Sequence, residues 1–345
     1  MPPIDRRFAV QDRFTELRRA LQFALLALPI LTAPAGAVDG FSQWLAELEA
    51  EAIDRGISQT TVHSALHDIE PIPEIIDHDR DQPKKPSNFC KYLERRLTPT
   101  RIARGRRMLK EHAVLLREIT ATYGVPARYL VALWGLETNF GDYMGEHPVL
   151  ASLATLAYDP RRGEMFREQI FAALQIIDEG HRSAEGFTGS WAGAVGLVQF
   201  MPTTFLEFAV DQDGDGRKDL WTSLPDALAS AANYMKRSGW RSGESWGRRV
   251  SLPPELERDR ATLKRRKPIA TWEGLGVRRS DGSALPVAAI RGRIVQPLRG
   301  PGPAFLVYRN YETFLRWNNS TFFAISVGTL ADELTRAAAL GICGL

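Results

Sequence analysis

The stretch Pro126-Ala-Arg-Tyr-Leu-Val-Ala-Leu-Trp-Gly-Leu-Glu137-Thr-Asn-Phe-Gly141 carries one carboxylate at the end of a run that is otherwise apolar on every side. Proline suits the first turn of a helix, where its missing N–H would be unpaired anyway, and glycine suits the position just past the end, so a helix is predicted over these residues. Tyr129, Leu130, Val131, Leu133, Trp134 and Leu136 leave almost no polar face. That marks a buried helix, from which Glu137 emerges in the last turn. Partial burial disfavours the ionised carboxylate, and the negative end of the helix dipole disfavours it again. A glutamic acid kept protonated near neutral pH suits a general acid. The position equally suits a helix-terminal residue bonded to a neighbouring side chain, and this stretch alone leaves both readings open.

The chain has 345 residues, 44% hydrophobic and 25% charged, which is an ordinary globular composition with room for a large core and two or three subdomains. A net charge of +3 is too small to argue for nucleic acid. The first forty residues differ in kind. Arg6, Arg7, Arg13, Arg18 and Arg19 precede the apolar run Leu21 to Leu31, and Ala35-Gly36-Ala37 gives a small-x-small cleavage pattern. This is the outline of a secretory signal peptide over residues 1–37, with the mature chain starting at Val38 and acting in the periplasm; an uncleaved anchor is the alternative. No cysteine lies at the cleavage point, so the chain is not expected to be a lipoprotein. Cys90 and Cys343 form no framework, and one disulfide or two buried thiols fit equally well.

From Phe41 the chain reads as helix, with Trp44, Leu45, Leu48, Ala52 and Ile53 on one stripe. Prolines between Pro71 and Pro86 interrupt the pattern. A second helical stretch, Pro99 to Tyr123, is basic at its start, where Arg101, Arg104, Arg106, Arg107 and Lys110 cluster on what is usually a solvated face. His147 to Leu156 and Phe166 to Glu179 read as further helices, and neither His147 nor His181 has zinc spacing. After Trp246, prolines and glycines cut the chain into short pieces. Val277, Val287 to Ile290, Ile294-Val295 and Phe305 to Tyr308 read as strands of a small β subdomain.

Two further stretches carry chemistry. In Gly189-Ser-Trp-Ala-Gly-Ala-Val-Gly-Leu-Val-Gln199-Phe-Met-Pro-Thr-Thr204 the glycines permit close approach of a ligand or of another helix, and Met201-Pro202 restarts a helix. Gln199, at that hinge, can bind an amide or sugar hydroxyl through both ends of its side chain. In Asp211-Gln-Asp213-Gly-Asp215-Gly216-Arg217 three carboxylates alternate as in the first half of an EF-hand loop, with Gly216 at the sharp turn and the Arg217 carbonyl as the next ligand. Thr222, at the twelfth position, cannot supply the bidentate carboxylate. A solvated Asp-Gly turn is the alternative.

Taken together, Gly135 to Gly141, Gly193 to Pro202, Asp211 to Trp221, Ala232-Asn-Tyr234 and Arg316-Trp-Asn-Asn-Ser320 resemble the ordered motifs of the lytic murein transglycosylase B family, glycoside hydrolase family 103. The resemblance implies a mainly α (α+β) fold: a lysozyme-like helical core with an added helical domain and a small β subdomain. The expected organisation is a helical region over 38–245 holding the catalytic core, a β subdomain over 246–310 and a C-terminal helix over 311–345 returning to the core. The implied reaction is non-hydrolytic cleavage of the β-1,4 bond from N-acetylmuramic acid to N-acetylglucosamine, leaving a 1,6-anhydromuramoyl end. The family's catalytic glutamate falls on Glu137. Its substrate-binding residues fall on Ser190, Gln199, Tyr234, Trp317, Asn318 and Phe323, where Trp317 and Phe323 replace residues that are commonly tyrosine. In the family the calcium loop closes on an aspartate that corresponds to Asp226, so Asp211, Asp213, Asp215, Arg217 and Asp226 are the candidates for a structural Ca²⁺ ion. No cofactor is expected in catalysis. The expected partners are peptidoglycan glycan strands and, as further candidates, other cell-wall enzymes; a monomer is expected.

The residues support the same chemistry independently. A two-carboxylate glycosidase needs a second Asp or Glu about 5 to 9 Å from the first. Asp142, Glu146, Asp159 and Glu164 all sit in polar sequence surroundings, so the nucleophile is expected to come from the substrate, with Glu137 acting as acid and then as base. A lysozyme-type hydrolase and a noncatalytic peptidoglycan-binding protein are the competing readings.

Overall fold

The structure, a computed structural model, describes residues 35–81, 88–298 and 302–336. The expected leader lies outside the described residues up to Ala35, and so does Cys343, while Cys90 is disulfide-bonded. The chain divides into two compact units, residues 1–42 and 43–345. Of the first, the described part is the start of helix α1 (Ala35–Asp54).

In the second unit, α1 is followed by short helices with local stop and start signals. Helix α2 (Gln59–Leu66) is capped by Ser58, α3 (Pro73–Arg80) opens on its proline, and α4 (Phe89–Arg96) is capped by Asn88, whose Oδ1 accepts from the Lys91 N–H at 3.1 Å. The segment expected as one helix from Pro99 to Tyr123 is two, α5 (Pro99–Glu111) and α6 (Ala113–Tyr123). His112, at φ −103° and ψ 24°, leaves helical geometry, yet its N–H bonds Met108 and its carbonyl accepts from Leu116. One residue thus serves both helices, and no breaker residue announces it. Helix α7 (Ala127–Thr138) is the buried helix, with Pro126 as its N-cap. Its end is set by Asn139 in the left-handed region, followed by Phe140 and Gly141, also at positive φ.

His147-Pro148, expected to open a helix, forms β1 (His147–Pro148) instead, paired antiparallel with β2 (Thr188–Gly189). Helix α8 (Val149–Tyr158) starts only after it, and α9 (Gly163–Asp178) packs on α8. The GAVGLVQF loop then leads into α10 (Pro202–Phe208), and α11 (Leu224–Arg237) returns across α6 and α7.

The β region forms one antiparallel sheet, ordered β4 (Lys267–Pro268), β6 (Arg291–Val295), β7 (Ala304–Val307), β3 (Gly247–Ser251), β5 (Arg278–Arg279). Helices α12 (Pro254–Arg258), α13 (Arg260–Lys264) and α14 (Ile269–Gly274) fill the connections. Val250, Leu256, Trp272, Ile294, Leu306 and Tyr308 make this region's own core. Val287 to Ile290, expected as a strand, is not one, and Val287 is fully exposed.

The expected single C-terminal helix is two, α15 (Arg309–Trp317) and α16 (Thr321–Thr335). Asn318-Asn-Ser320 breaks them, because Ser320 caps α16 by accepting from the Phe323 N–H. Helix α16 packs on α7 and on α5. A Cβ at Gly328 in α16 would lie 2.1 Å from Cδ2 of Trp246, so the helix passes the indole with no room for a side chain. Trp246 in turn donates its Nε1–H to Asp332 at 3.1 Å.

Candidate active site

Glu137 is presented by a turn that several elements hold in place. Thr138 is fully buried, and its hydroxyl donates to the Leu197 carbonyl at 2.8 Å while accepting from the Gly141 N–H. It thereby joins the end of α7 to the glycine-rich loop. From the other side the basic face of α5 closes in. Arg101 Nε donates to Asn139 Oδ1 at 3.2 Å, and Arg104 pairs with Asp142 and donates to the Phe140 carbonyl. Arg106 donates to the Glu333 carbonyl of α16. Arg101 and Arg104 thus pin the left-handed turn after Glu137 and Arg106 ties α5 to α16, although all three were expected on a solvated face. Gly135 makes room for the same turn, since a Cβ there would sit 2.6 Å from the Phe140 ring.

The side chain of Glu137 is half-buried, and its carboxyl accepts from Trp317 Nε1 at 2.7 Å. Burial pushes its pKa up to about 7; the Trp317 hydrogen bond and the charge of Arg96 pull the other way and lose. Arg96 is the one charged side chain among the described residues whose field bears on Glu137. Its guanidinium donates to the Leu136 carbonyl at 3.1 Å. Asp142, the acidic residue nearest in sequence, is committed to Arg104, which holds its carboxyl below the usual range. The arrangement therefore offers one protonatable carboxyl at neutral pH, with no second carboxylate among the described residues acting on it.

An aromatic wall extends from Trp317. Its ring lies 5.0 Å from that of Tyr234, edge-on, and 5.3 Å from Phe200, and Tyr234 also packs on Phe208. Gln199 stands beside Phe200 with φ 53°, a left-handed conformation uncommon for glutamine. Its Nε2 donates to the Met144 and Gly196 carbonyls at 2.9 and 3.0 Å, which leaves its carbonyl end for a ligand. Gln199 and Ser190 share a groove of about 560 Å³ with Tyr143, Glu146, His147 and Trp191. Ser190 is positioned by a tight turn, its N–H donating to Ala194 and its Oγ accepting from the Ala194 N–H at 2.9 Å. Gly145 lets the two rims touch, since a Cβ there would fall 2.1 Å from the Gly189 carbonyl.

The structure thus joins Glu137, Trp317 and Tyr234 directly, while Gln199, next to the Phe200 that packs on Trp317, shares its groove with Ser190. Asn318 is exposed at the end of α15. Phe323 is a correction: at 4% exposure it is buried in α16 and presents no ring face to a ligand. Its neighbour Phe322 is half-buried instead, 5.5 Å from Tyr92 and 5.0 Å from Phe89. Trp240 is core, edge-on against Tyr129 at 4.8 Å.

Sequence reasoning missed Tyr92, Arg96 and Tyr143. Tyr92 and Arg96 lie four residues apart on α4, the guanidinium 5.5 Å from the Tyr92 ring centre, and the charge of Glu137 bears on Tyr92. Their i, i+4 spacing, each three residues on from the buried Phe89 and Leu93 and so flanking the buried face, was the available signal. Tyr143 is 73% exposed on the rim of the groove, as a stacking residue for a sugar would be.

The acidic loop curls on itself. One oxygen each from Asp211, Asp213 and Asp226 lie within 4.8 Å of one another. Asp226 is fully buried and accepts from the N–H groups of Gln212, Asp213 and Asp219. Burial, and the charge of Asp213, raise its pKa. Asp215 is outside this set; its Oδ1 accepts from the Arg217 N–H at 2.8 Å. Asp211 accepts from Gly214 and Gly216, holding the turn that the glycines permit. An all-oxygen set around a buried carboxylate fits a hard cation such as calcium.

A family model described as a transglycosylase SLT domain matches residues 40–332. The membrane-bound lytic murein transglycosylase B of Escherichia coli (strain K12) is 30% identical over 252 residues, 72% of this chain and 68% of that protein. SltB3 from Pseudomonas aeruginosa, solved in complex with NAG-NAM-pentapeptide, superposes with a TM-score of 0.83 at 42% identity, over 87% of this chain and 81% of that one. The Escherichia coli lytic transglycosylase Slt35 in complex with calcium gives 0.72 at 25% identity, over 84% of this chain and 92% of that one. The chain belongs to the transglycosylase SLT family, as a lytic murein transglycosylase, a lyase that acts on peptidoglycan. The lysozyme-like, mainly helical fold and the enzyme class expected from the motifs are both correct.

Proposed function

We propose that Glu137 carries out both proton transfers of the lytic cleavage between N-acetylmuramic acid and N-acetylglucosamine. The observation that carries this reading is a carboxyl held near a pKa of about 7 by burial, with no second carboxylate among the described residues acting on it. As the acid, Glu137 gives its proton to the glycosidic oxygen, and the bond from that oxygen to C1 of the muramoyl residue breaks while the substrate's own acetamido oxygen bonds to C1. The resulting carboxylate then takes the proton from the 6-hydroxyl, whose oxygen attacks C1 and releases the acetamido oxygen. A pKa near the working pH suits a group that must serve in both states. The Trp317 N–H stabilises the carboxylate between the two transfers, as a tyrosine hydroxyl could do in its place.

Ser190, Gln199, Tyr234 and Asn318 bind the glycan in this reading, with Tyr143, Trp191 and Tyr92 as added contacts. Trp317 serves both the glycan and Glu137. Calcium sits at Asp211, Asp213 and Asp226, with Asp215 and the Arg217 carbonyl as further ligands, and supplies rigidity to the loop before α11 rather than chemistry. The chain acts in the periplasm as a monomer after removal of residues 1–37, with other cell-wall enzymes as further partners. No helix among the described residues is long and apolar enough to cross a membrane. The test is mass spectrometry of muropeptides released from purified sacculi. Anhydromuropeptides from the wild type, and none from Glu137→Gln, are expected; reducing-end products would assign a hydrolase, and undiminished release by the variant would remove Glu137 from the role.

A further inference from the structure

The chain's charge is unevenly placed. Residues 246–310 hold fourteen of its 44 lysines and arginines but five of its 41 acidic residues, a surplus of nine, so the remainder of the chain is net negative. Part of that surplus is gathered around one carboxylate at the junction of the sheet with α15. Glu312 Oε1 accepts from Arg266 at 2.6 Å and from Arg293 Nε at 3.2 Å. Arg266 and Arg291 hold each other's backbone, Arg291 donating to the Arg266 carbonyl at 2.8 Å. Arg309, at the start of α15, acts on Arg266 as a like charge, as Arg293 does. Neither Arg291 nor Arg309 has an ion-pair partner among the described residues, and both are exposed. Two guanidinium groups thus hold Glu312, while Arg291, bonded to the Arg266 carbonyl, and Arg309, a like charge acting on Arg266, carry no carboxylate of their own among the described residues.

From this juxtaposition of Arg266, Arg291, Arg293 and Arg309 we propose a subsite for the carboxylates of the acidic peptide carried by the muramoyl residue. Geometry ties it to the catalytic centre. Helix α15 begins at Arg309 and ends at Trp317, which donates to Glu137, and a helix of that length spans only ~12 Å. An extended peptide of four residues reaches roughly 14 Å, so a stem leaving the sugar in the cleft can arrive at the cluster. The cluster already grips one carboxylate through two arginines, and the exposed Arg291 and Arg309 add two guanidinium groups of the charge and type that bind a further one. Because neighbouring like charges oppose one another, an added anion relieves repulsion as well as making contacts. The subsite rests on the peptidoglycan reading above and deepens it, setting a preference for stem-bearing over peptide-free glycan.

The experiment compares intact sacculi with the same sacculi after amidase removal of the stems. Sedimentation measures binding, and release of anhydro products measures turnover. The variant Arg291→Gln/Arg309→Gln leaves both ion pairs of Glu312 in place, so its melting temperature should match the wild type. It is expected to lose roughly three- to tenfold in binding and in kcat/KM on stem-bearing sacculi, the scale of two exposed charge contacts, and nothing on peptide-free glycan. Arg291→Lys/Arg309→Lys should recover most of the loss, and the wild-type preference should shrink as salt rises. Equal losses on both substrates, or no loss on either, overturn the proposal. So does loss of binding to phosphatidylglycerol vesicles with stem-dependent binding intact, which would assign the cluster to a lipid surface. Failure of the wild type to release anhydro products would instead refute the transglycosylase reading, and the sedimentation arm would still decide the subsite.

Discussion

The indole N–H of Trp317 lies 2.7 Å from Oε1 of Glu137, across 180 residues of sequence. The bond favours the ionised carboxylate, while burial favours the acid, and burial prevails. Trp317 is therefore a brake on the pKa of the group it touches, and its removal has a signed consequence. Trp317→Phe keeps the ring against Phe200 and Tyr234 but loses the donor, so the Glu137 pKa should rise above about 7. Since the first transfer needs the acid, kcat/KM falls as pH rises through that pKa. The alkaline limb of the pH profile should move upward in Trp317→Phe and return in Trp317→Tyr, which restores a donor. A limb that stays put in Trp317→Phe would show that the bond is not made in solution.

The raised pKa also has a price in stability. Glu137 titrates near 4.5 in the unfolded chain and near 7 in the fold. Between those values the native state holds a proton that the unfolded state has lost, so stability declines as pH rises across the window and stays at its lower level above it. At 1.36 kcal/mol per unit the full effect is about 3 kcal/mol. Glu137→Gln carries no such penalty. Thermal melts should show the variant more stable than the wild type at pH 8, with the gap closing toward pH 4. Equal melting temperatures at pH 8 would contradict the burial.

A packing prediction concerns two glycines in helices. A Cβ at Gly328 would stand 2.1 Å from the Trp246 ring, whereas one at Gly274 meets nothing within 4 Å. Gly328→Ala must therefore move α16 or the indole, at a cost of roughly 1–3 kcal/mol. Gly274→Ala should be neutral or slightly stabilising. Denaturant titration of both variants separates the two cases, and a neutral Gly328→Ala would mean that the helix has slack against Trp246.

The contrast between what the sequence discloses and what it hides follows the range of each interaction. Glu137 was legible because a one-sided departure from an apolar run is local information, and the glycine-rich loop and the Asp-Gly turn are local too. The partner of Glu137 was not, since nothing near Trp317 points to residue 137. His147-Pro148 reads as a helix start until its pairing with Thr188-Gly189 is known. Phe323 is buried and Phe322 only half-buried because adjacent helical residues point about 100° apart, and the phase of α16 depends on where Ser320 caps it. The arginines of α5 look like a solvated face because their acceptors, the turn at Asn139 to Asp142 and the carbonyl of Glu333, come later in the chain.

The acidic loop gives the last prediction. Asp226 is fully buried, and its carboxyl, though bonded to three backbone N–H groups, is pushed toward the neutral form by burial and by Asp213. Three carboxylate oxygens within 4.8 Å of one another repel when ionised. A divalent cation would reverse the sign of that interaction, binding the folded loop and not the unfolded chain. By linkage, calcium at a hundredfold excess over its Kd adds about 2.7 kcal/mol of stability. Protein stripped with chelator should therefore melt lower than protein in millimolar calcium. Asp211→Ala should abolish the difference, and so should Asp226→Asn, which keeps the shape of the buried group. Turnover by Glu137 should survive in Asp211→Ala at low temperature, because the loop supports α11 and not the reacting atoms. A stripped wild-type protein whose melting temperature ignores calcium would leave the loop as an Asp-Gly turn and nothing more.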